Sequence, residues 1–303
     1  MTPFGQTSPR EAWALMFSFS TRPRFLLSLL ERFFSFQLSS LIFKANRSCW
    51  RLCNAETKQQ PFEMTKSLLL VFDFDHSIID ANSDHYVTKL VPPIPAEIKE
   101  SYNSQCWVYY MGAVFEHLHK VGITPEQILK CMNEIPFISG MKDLLQFMNR
   151  DNVELIIISD ANSVFIKQIL QNAALDDLFA ATFTNPAEFD SSGCLRVQCY
   201  HYQDWCPLST TNLCKGSILQ DYLKQRQKGG VTFSHIAYVG DGTYDLCPCL
   251  TLSANDFVFP RTDFSLWKKI KHMQKNKDSS LKAKVVPWNT GLDILETVKP
   301  IVS

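Results

Sequence analysis

The stretch VFDFDHSIIDANSDHY, residues 71–86, joins the end of an apolar run to a turn that carries four aspartates, Asp73, Asp75, Asp80 and Asp84. The run SLLLVFDF at 67–74 has the continuous apolar character of a parallel β-strand that is buried on both faces. Negative charge is costly at the end of a buried strand unless it is paired or bound to a cation. The stretch therefore predicts a strand of an α/β sheet that ends at a functional site.

The rest of the chain after Lys66 alternates apolar runs with helical patterns. Further strands are predicted at VELIIISD (153–160), AATFTN (180–185), HIAYVGDG (235–242), DFVF (256–259) and KAKVV (282–286). Helices are predicted at GMKDLLQFMNR (140–150), SVFIKQILQNAA (163–174) and SILQDYLKQRQ (217–227). This alternation predicts an α/β fold with a doubly wound, mostly parallel sheet.

Residues 95–133 interrupt this rhythm with three consecutive helical patterns, PAEIKESYN, CWVYYMGAVFEHLHKVG and TPEQILKCMN. They predict a small helical cap inserted after the first strand, at about 85–135, where it could cover a site. The predicted organisation is an N-terminal extension at 1–63 and one α/β domain at 64–303 with this cap.

Composition describes an ordinary globular protein, with 46% apolar and 20% charged residues among 303. The net charge of zero gives no argument for nucleic acid or an anionic membrane as partner. Of the ten cysteines none forms a Cys-x-x-Cys pair, and we expect reduced, mostly buried thiols in an intracellular protein. The loop 200–216 holds His201, Cys206 and Cys214, which we interpret as packing residues rather than metal ligands.

Residues 1–63 carry eight basic and four acidic side chains, and their apolar run 25–43 is broken by Glu31 and Arg32. A membrane-spanning helix needs roughly 20 uninterrupted apolar residues, so no stable membrane insertion is expected. An amphipathic, arginine- and serine-bearing leader resembles a mitochondrial transit peptide. The alternative is a disordered extension outside the fold, with Met64 as the functional start. The compartment is expected to be cytoplasmic by default, and mitochondrial if the leader is genuine.

Acidic residues end three of the predicted strands: Asp73 with Asp75, then Asp160, then Asp241 with Asp245. In open α/β sheets, ligand sites form outside the carboxyl ends of the strands. Converging carboxylates repel unless a cation neutralises them, and Mg²⁺ prefers carboxylate, water and phosphate oxygens. A single acid has an alternative role as a helix N-cap. Lys215, at the predicted start of a helix, is either a solvated lysine or a cation that reaches Asp73.

The segments DFDHS (73–77), ISDAN (158–162), Lys215 and GDGTYD (240–245) resemble, in order and spacing, the four motifs of the haloacid dehalogenase superfamily. IIDANSD (78–84), FTNPAEF (183–189), NLCK (212–215) and VVPW (285–288) are similar to the phosphatases that act on pyridoxal 5′-phosphate and on phosphoethanolamine and phosphocholine. FTNPAEF is nearer to the pyridoxal phosphate branch. The resemblance covers roughly residues 66–298.

This resemblance implies a Mg²⁺-dependent phosphomonoesterase that acts on a small phosphorylated metabolite through an aspartyl-phosphate. Asp73 would be the nucleophile and Asp75 the general acid and base. Mg²⁺ would be held by Asp73, Asp75 and Asp241, where Asp75 contributes its backbone carbonyl. Lys215 would stabilise the phosphoryl group, with Asp245 orienting it. Asp84 and Asp160 would bind the substrate, and Asp80 would cap the turn.

Departures from the pattern put the substrate in doubt more than the catalysis. Ser77 stands where threonine is usual, Tyr244 where asparagine is frequent, and His76 is given no role. Two other functions stay open at this point: a different enzyme with the same chemistry, such as a mutase or phosphonate hydrolase, and a protein that binds metal and phosphate without turnover.

Overall fold

The computed structural model describes residues 64–91, 93–100 and 107–303. The predicted extension at 1–63 and the ends of two predicted cap helices around 101–106 lie outside these ranges, so the boundary at residue 64 stays a prediction. None of the helices within the described ranges is long and apolar enough to cross a membrane.

The central strand β1, Met64–Phe72, forms from the apolar run that precedes the aspartates. Its residues Leu68–Phe72 are fully buried. Alternate side chains point to opposite faces of a strand, and here they enter two separate cores. Leu68, Leu70 and Phe72 pack into one core and Leu69 and Val71 into the other. Burial on both faces explains why the run has no polar alternation.

Six parallel strands form the main sheet in the order β3-β2-β1-β6-β7-β8, which confirms the predicted doubly wound α/β class. The chain moves outward in one direction from β1 to β3 and in the other from β6 to β8, so the direction reverses between β1 and β6. The remaining strands of the sheet are β2 Val153–Asn162, β3 Phe179–Asn185, β6 Val231–Gly240, β7 Phe257–Pro260 and β8 Lys284–Val285.

Helices cover both faces of this sheet. The first core is closed by α5 Met141–Phe147, α6 Ser163–Asn172 and α10 Gly291–Val302 together with cap helices, and the second by α7 Lys215–Lys228 and α9 Ser265–Lys275. Local sequence fixes the start of α6, because the side chain of Asn162 accepts a hydrogen bond from the backbone N–H of Phe165. The sequence did not predict α9, α10 or the short helix α8, Leu246–Cys249.

The cap lies between β1 and β2 in the chain, as predicted. Its helices are α1 Ser83–Tyr86, α2 Ala96–Glu100, α3 Trp107–Lys120 and α4 Pro125–Asn133. Thr124 and Gln127 form a capping box at the start of α4, with Pro125 in its first turn.

An antiparallel hairpin, β4 Ala187–Phe189 and β5 Leu195–Val197, packs beside the cap and was not predicted. The guanidinium of Arg196 lies 2.6 Å from the Glu116 carboxylate of α3. The covering layer therefore contains a hairpin as well as helices.

Candidate active site

The candidate site lies where β1 and β6 end, at the reversal of strand order. Phe72 is paired with Val239, and the next residue, Asp73, donates its backbone N–H to the Val239 carbonyl at 2.9 Å. The Asp73 side chain therefore leaves the sheet beside Gly240 and Asp241. This is the edge at which doubly wound sheets bind ligands.

Lys215 is the first residue of α7 and brings two of the predicted site residues together. Its Nζ lies 2.7 Å from Asp73 Oδ2 and 2.7 Å from Asp245 Oδ1. All three side chains are buried, at 7% exposure or less. Of the two sequence alternatives for Lys215, the structure contradicts the solvated lysine and supports the cation that reaches Asp73.

Asp245 is held by contacts on both of its carboxylate oxygens. Oδ1 accepts from Lys215 and from the Tyr238 hydroxyl at 2.8 Å, while Oδ2 accepts from the backbone N–H groups of Asp241 and Gly242 at 3.0 and 2.8 Å. A Cβ at Gly240 would lie 2.6 Å from the Asp245 carboxyl carbon, so glycine is needed there. These contacts suit a residue that orients Lys215.

Carboxylate oxygens of Asp73, Asp241 and Asp245 all lie within 4.8 Å of one another. Asp241 is half-buried and its Oδ1 accepts from the Ser77 hydroxyl at 3.4 Å. The oxygens of one six-coordinate Mg²⁺ at about 2.1 Å are about 3–4.2 Å apart. Three carboxylates against one ammonium leave an excess of negative charge, and this excess at closely spaced oxygens fits a magnesium ion.

Asp75 is buried and turned toward the start of the cap. Its Oδ1 accepts from the Ser83 backbone N–H at 3.1 Å and its Oδ2 from the Ser83 hydroxyl at 3.2 Å. Burial raises the pKa of Asp75 well above the usual carboxyl range, and the nearby Asp84 charge adds to this. Burial thus favours the protonated form of Asp75, and the contacts with Ser83 fix its orientation.

Burial and mutual repulsion also raise the pKa of the clustered acids. Burial raises the pKa of Asp73 to about 7, although Lys215 opposes the change, and raises that of Asp241 to about 8, with Asp73 adding to it. Burial by itself lowers the pKa of Lys215, but Asp245 and Asp73 outweigh it and hold that pKa well above its ordinary value. A bound divalent cation would favour the ionised carboxylates and oppose these increases.

The two predicted substrate-binding acids lie on the cap side of this cluster. Asp84 is buried, and its Oδ2 accepts from the Trp107 indole N–H at 2.7 Å. Asp160 is exposed at the end of β2, and both acids line one small recess. Burial raises the pKa of Asp84 to about 7, and the Asp160 charge contributes to the increase.

A larger cavity of about 280 Å³ adjoins Asp84 and is lined by residues of the cap. Its lining includes Trp107, Tyr110, Met111 and Lys99. The side-chain amide of Asn162 is buried at the same recess, and its interaction with Asp84 opposes the increase in the pKa of that carboxyl.

Sequence reasoning assigned no role to Ser83, Trp107, Asn162 and Tyr238. Ser83 lies in IIDANSD and Asn162 in ISDAN, where a hydroxyl or an amide close to an aspartate could have indicated a role at the site. Trp107 and Tyr238 gave no local signal, because their contacts with Asp84 and Asp245, 23 and 7 residues away, depend on how the cap and the turn after β6 fold. Asp80 lies beside the site, where its carboxylate pairs with Arg261 at 2.6 Å.

Comparison with known proteins agrees with this geometry. The family model described as "Putative Phosphatase" matches residues 68–302. Pyridoxal phosphate phosphatase PHOSPHO2 of Mus musculus is 38% identical over 239 residues, covering 78% of this chain and 98% of that protein. Phosphoethanolamine/phosphocholine phosphatase of Homo sapiens is 36% identical over 230 residues, covering 75% and 86%.

Among solved structures, phosphoserine phosphatase in its apo form matches with a TM-score of 0.49 and 14% identity, over 78% of this chain and 98% of that one. The match to the family model spans most of the chain and includes Asp73, Lys215 and Asp245. The chain therefore belongs to the family described as "Putative Phosphatase" and is a phosphatase of the haloacid dehalogenase superfamily.

Proposed function

We propose that this chain hydrolyses the phosphate monoester of a small metabolite, pyridoxal 5′-phosphate, with Mg²⁺ and through an aspartyl-phosphate on Asp73. The observation that carries the proposal is the pairing of Lys215 Nζ with Asp73 and Asp245, each at 2.7 Å. It holds a carboxylate nucleophile next to a cation at the ligand-binding edge of the sheet.

In the first step, a carboxylate oxygen of Asp73 attacks phosphorus and the bond from phosphorus to the ester oxygen breaks. The leaving oxygen takes a proton from Asp75, whose raised pKa favours the protonated form. Asp73 Oδ1 accepts from the Phe74 backbone N–H at 2.6 Å, which fixes the orientation of the carboxylate. The product of this step is the free alcohol and an acyl phosphate on Asp73.

In the second step, water attacks phosphorus and the bond from phosphorus to Asp73 breaks. Asp75, now ionised, takes a proton from that water, which returns both carboxyl groups to their starting states. Lys215 offsets the charge on the phosphoryl oxygens and on the released Asp73, and Asp245 keeps the ammonium in place.

The side chains of Asp73 and Asp241 and the backbone carbonyl of Asp75 would hold the Mg²⁺ ion. When bound, the ion neutralises phosphate charge and so makes attack by an anionic carboxylate easier.

The cavity supports an aromatic substrate. Trp107 and Tyr110 offer ring surfaces, and Asp84 with the neighbouring Asn162 amide offers an acceptor and a donor. Pyridoxal phosphate carries a planar ring with a ring nitrogen, a hydroxyl and an aldehyde, which match these groups.

The same rings and carboxylate favour a second candidate, phosphoethanolamine or phosphocholine, because aromatic faces and acids also bind ammonium groups. The similarity to both kinds of phosphatase agrees with either substrate. The discriminating experiment measures kcat/KM of the full chain for the three substrates, with Mg²⁺ and with EDTA. We expect the highest value for pyridoxal phosphate and no turnover in EDTA.

The test variant is Asp73→Asn and its matched control is Asp80→Asn. Each removes one carboxylate from the same loop. Asp73→Asn should lose turnover by about 10³-fold or more, while Asp80→Asn should retain it. Undiminished turnover in Asp73→Asn would refute the mechanism. Binding of Mg²⁺ and phosphate without hydrolysis of any phosphate ester would instead identify a binding protein.

A further inference from the structure

A second cluster of ligand-type side chains lies away from the carboxylates, on the segments that adjoin Lys215 and Asp245. Cys206 belongs to the loop before α7, Cys214 is the residue before Lys215, and Cys247 lies in α8. The sulfur atoms of the three cysteines lie within 4.8 Å of one another. The Sγ of Cys247 is 3.4 Å from that of Cys206 and 3.7 Å from that of Cys214.

These spacings correspond to a metal site rather than to a disulfide. A disulfide joins its sulfurs at about 2.05 Å. Sulfurs bound to one tetrahedral zinc ion at about 2.3 Å lie about 3.8 Å apart. Cys214 and Cys247 are buried and Cys206 is half-buried, so all three thiols point inward.

The backbone around the cluster allows the thiols to approach one another. A Cβ at Gly216 would lie 2.5 Å from the Cys247 sulfur, and the glycine at this position therefore admits Cys247 to the first turn of α7. The buried Gln203 fixes the turn at Cys206, since its Oε1 accepts from the Cys206 N–H at 2.8 Å and its Nε2 donates to the Cys206 carbonyl at 3.2 Å.

We propose that Cys206, Cys214 and Cys247 form a zinc-binding site that is separate from the magnesium site. Thiolates are the ligands that Zn²⁺ prefers, whereas Mg²⁺ takes oxygen, so the two clusters select different ions. Binding releases the thiol protons and forms three Zn–S bonds without oxidation of sulfur. A fourth position on the ion is left to solvent, because the Nε2 of His201 already accepts from the Cys214 backbone N–H at 3.0 Å.

This site would connect the two segments that carry the Lys215–Asp245 ion pair. Cys214 directly precedes Lys215, and Cys247 follows Asp245 by two residues. The ion would thereby position the cation and its partner carboxylate without touching the substrate. The loop 200–216, whose cysteines the sequence predicts to be packing thiols, holds two of the three, and Cys247 joins them only in the folded chain.

The test is metal analysis of the full chain, purified without a polyhistidine tag from cells supplied with zinc. We expect about one zinc per chain and, after exchange with Co²⁺, the near-ultraviolet charge-transfer absorption of cobalt–thiolate bonds. Cys206→Ser and Cys247→Ser should each lose the zinc and the absorption. Cys194→Ser is the matched control, because Cys194 is buried elsewhere, with its sulfur 3.9 Å from the Phe115 carbonyl.

A second variant leaves every cysteine in place. Gly216→Ala should lose zinc because its methyl group displaces Cys247, whereas Gly112→Ala, which meets nothing within 4 Å, should keep it. Circular dichroism identifies any variant that fails to fold. The proposal is overturned if folded wild-type chain carries no zinc, if Cys206 and Cys247 form a disulfide, or if stoichiometric zinc survives in both cysteine variants.

Discussion

The substitution Asp84→Asn should make the protein more stable at high pH, although Asp84 is expected to bind the substrate. Asp84 is buried, and its pKa is about 7, compared with an ordinary value near 4. Between these two values the unfolded chain releases this proton while the folded chain keeps it. The contribution of Asp84 to the unfolding free energy is therefore fully present below about pH 4 and is lost as the pH rises to 7.

The size of the effect follows from the pKa difference. At about 1.4 kcal/mol for each pH unit, ionisation of Asp84 costs about 4 kcal/mol of unfolding free energy above pH 7. About 3 kcal/mol of this cost develops between about pH 5 and pH 8. Asparagine cannot ionise, and its amide oxygen can still accept from the Trp107 indole. Removal of the Asp84 charge also lowers the pKa of Asp75, so that ionisation of Asp75 costs less unfolding free energy at high pH.

The assay is urea unfolding of the full chain in EDTA near pH 5 and near pH 8, for wild type and variant. The stability advantage of Asp84→Asn should grow by about 3 kcal/mol between the two pH values, with an unchanged m-value. Asp80→Asn is the control, because that carboxylate is half-exposed and its pair with Arg261 is of the kind that contributes little. An advantage that stays constant within about 0.5 kcal/mol would refute the reasoning.

Three further predictions concern contacts around the site. Lys215→Met should lower the unfolding free energy by about 3–5 kcal/mol in EDTA near pH 8, because it leaves two buried carboxylates without a cation. A urea midpoint equal to that of wild type would contradict this. Gly240→Ala should displace Asp245 and lower the unfolding free energy by about 1–3 kcal/mol in thermal melts. Its control, Gly112→Ala, adds a methyl group in open space on α3 and should raise the unfolding free energy by about 1 kcal/mol. Trp107→Phe removes the 2.7 Å hydrogen bond to Asp84 and should raise KM about 3–10-fold at a similar kcat, so that a loss confined to kcat would place Trp107 in the chemistry instead.

Local sequence was sufficient to predict the elements of the sheet. Apolar runs of the length of a buried strand identified β1, β2 and β6, and aspartates marked where two of them end. Such signals are local, because a strand that is buried on both faces must be apolar at every position. Helices α9 and α10 were missed, although each carries apolar residues at helical spacing that pack into the two cores.

Side-chain partners were decided only by the folded chain. The reversal of strand order placed Asp73 beside Asp241, and the start of α7 placed Lys215 between Asp73 and Asp245. The sequence by itself determined which residues could carry charge, bind metal or attack phosphorus. The pairing of Asp73 with Lys215 joins segments that are more than a hundred residues apart in the chain. The contact of Trp107 with Asp84 and the approach of Cys247 to Cys206 span 23 and 41 residues, and they too depend on how those segments pack in the tertiary structure.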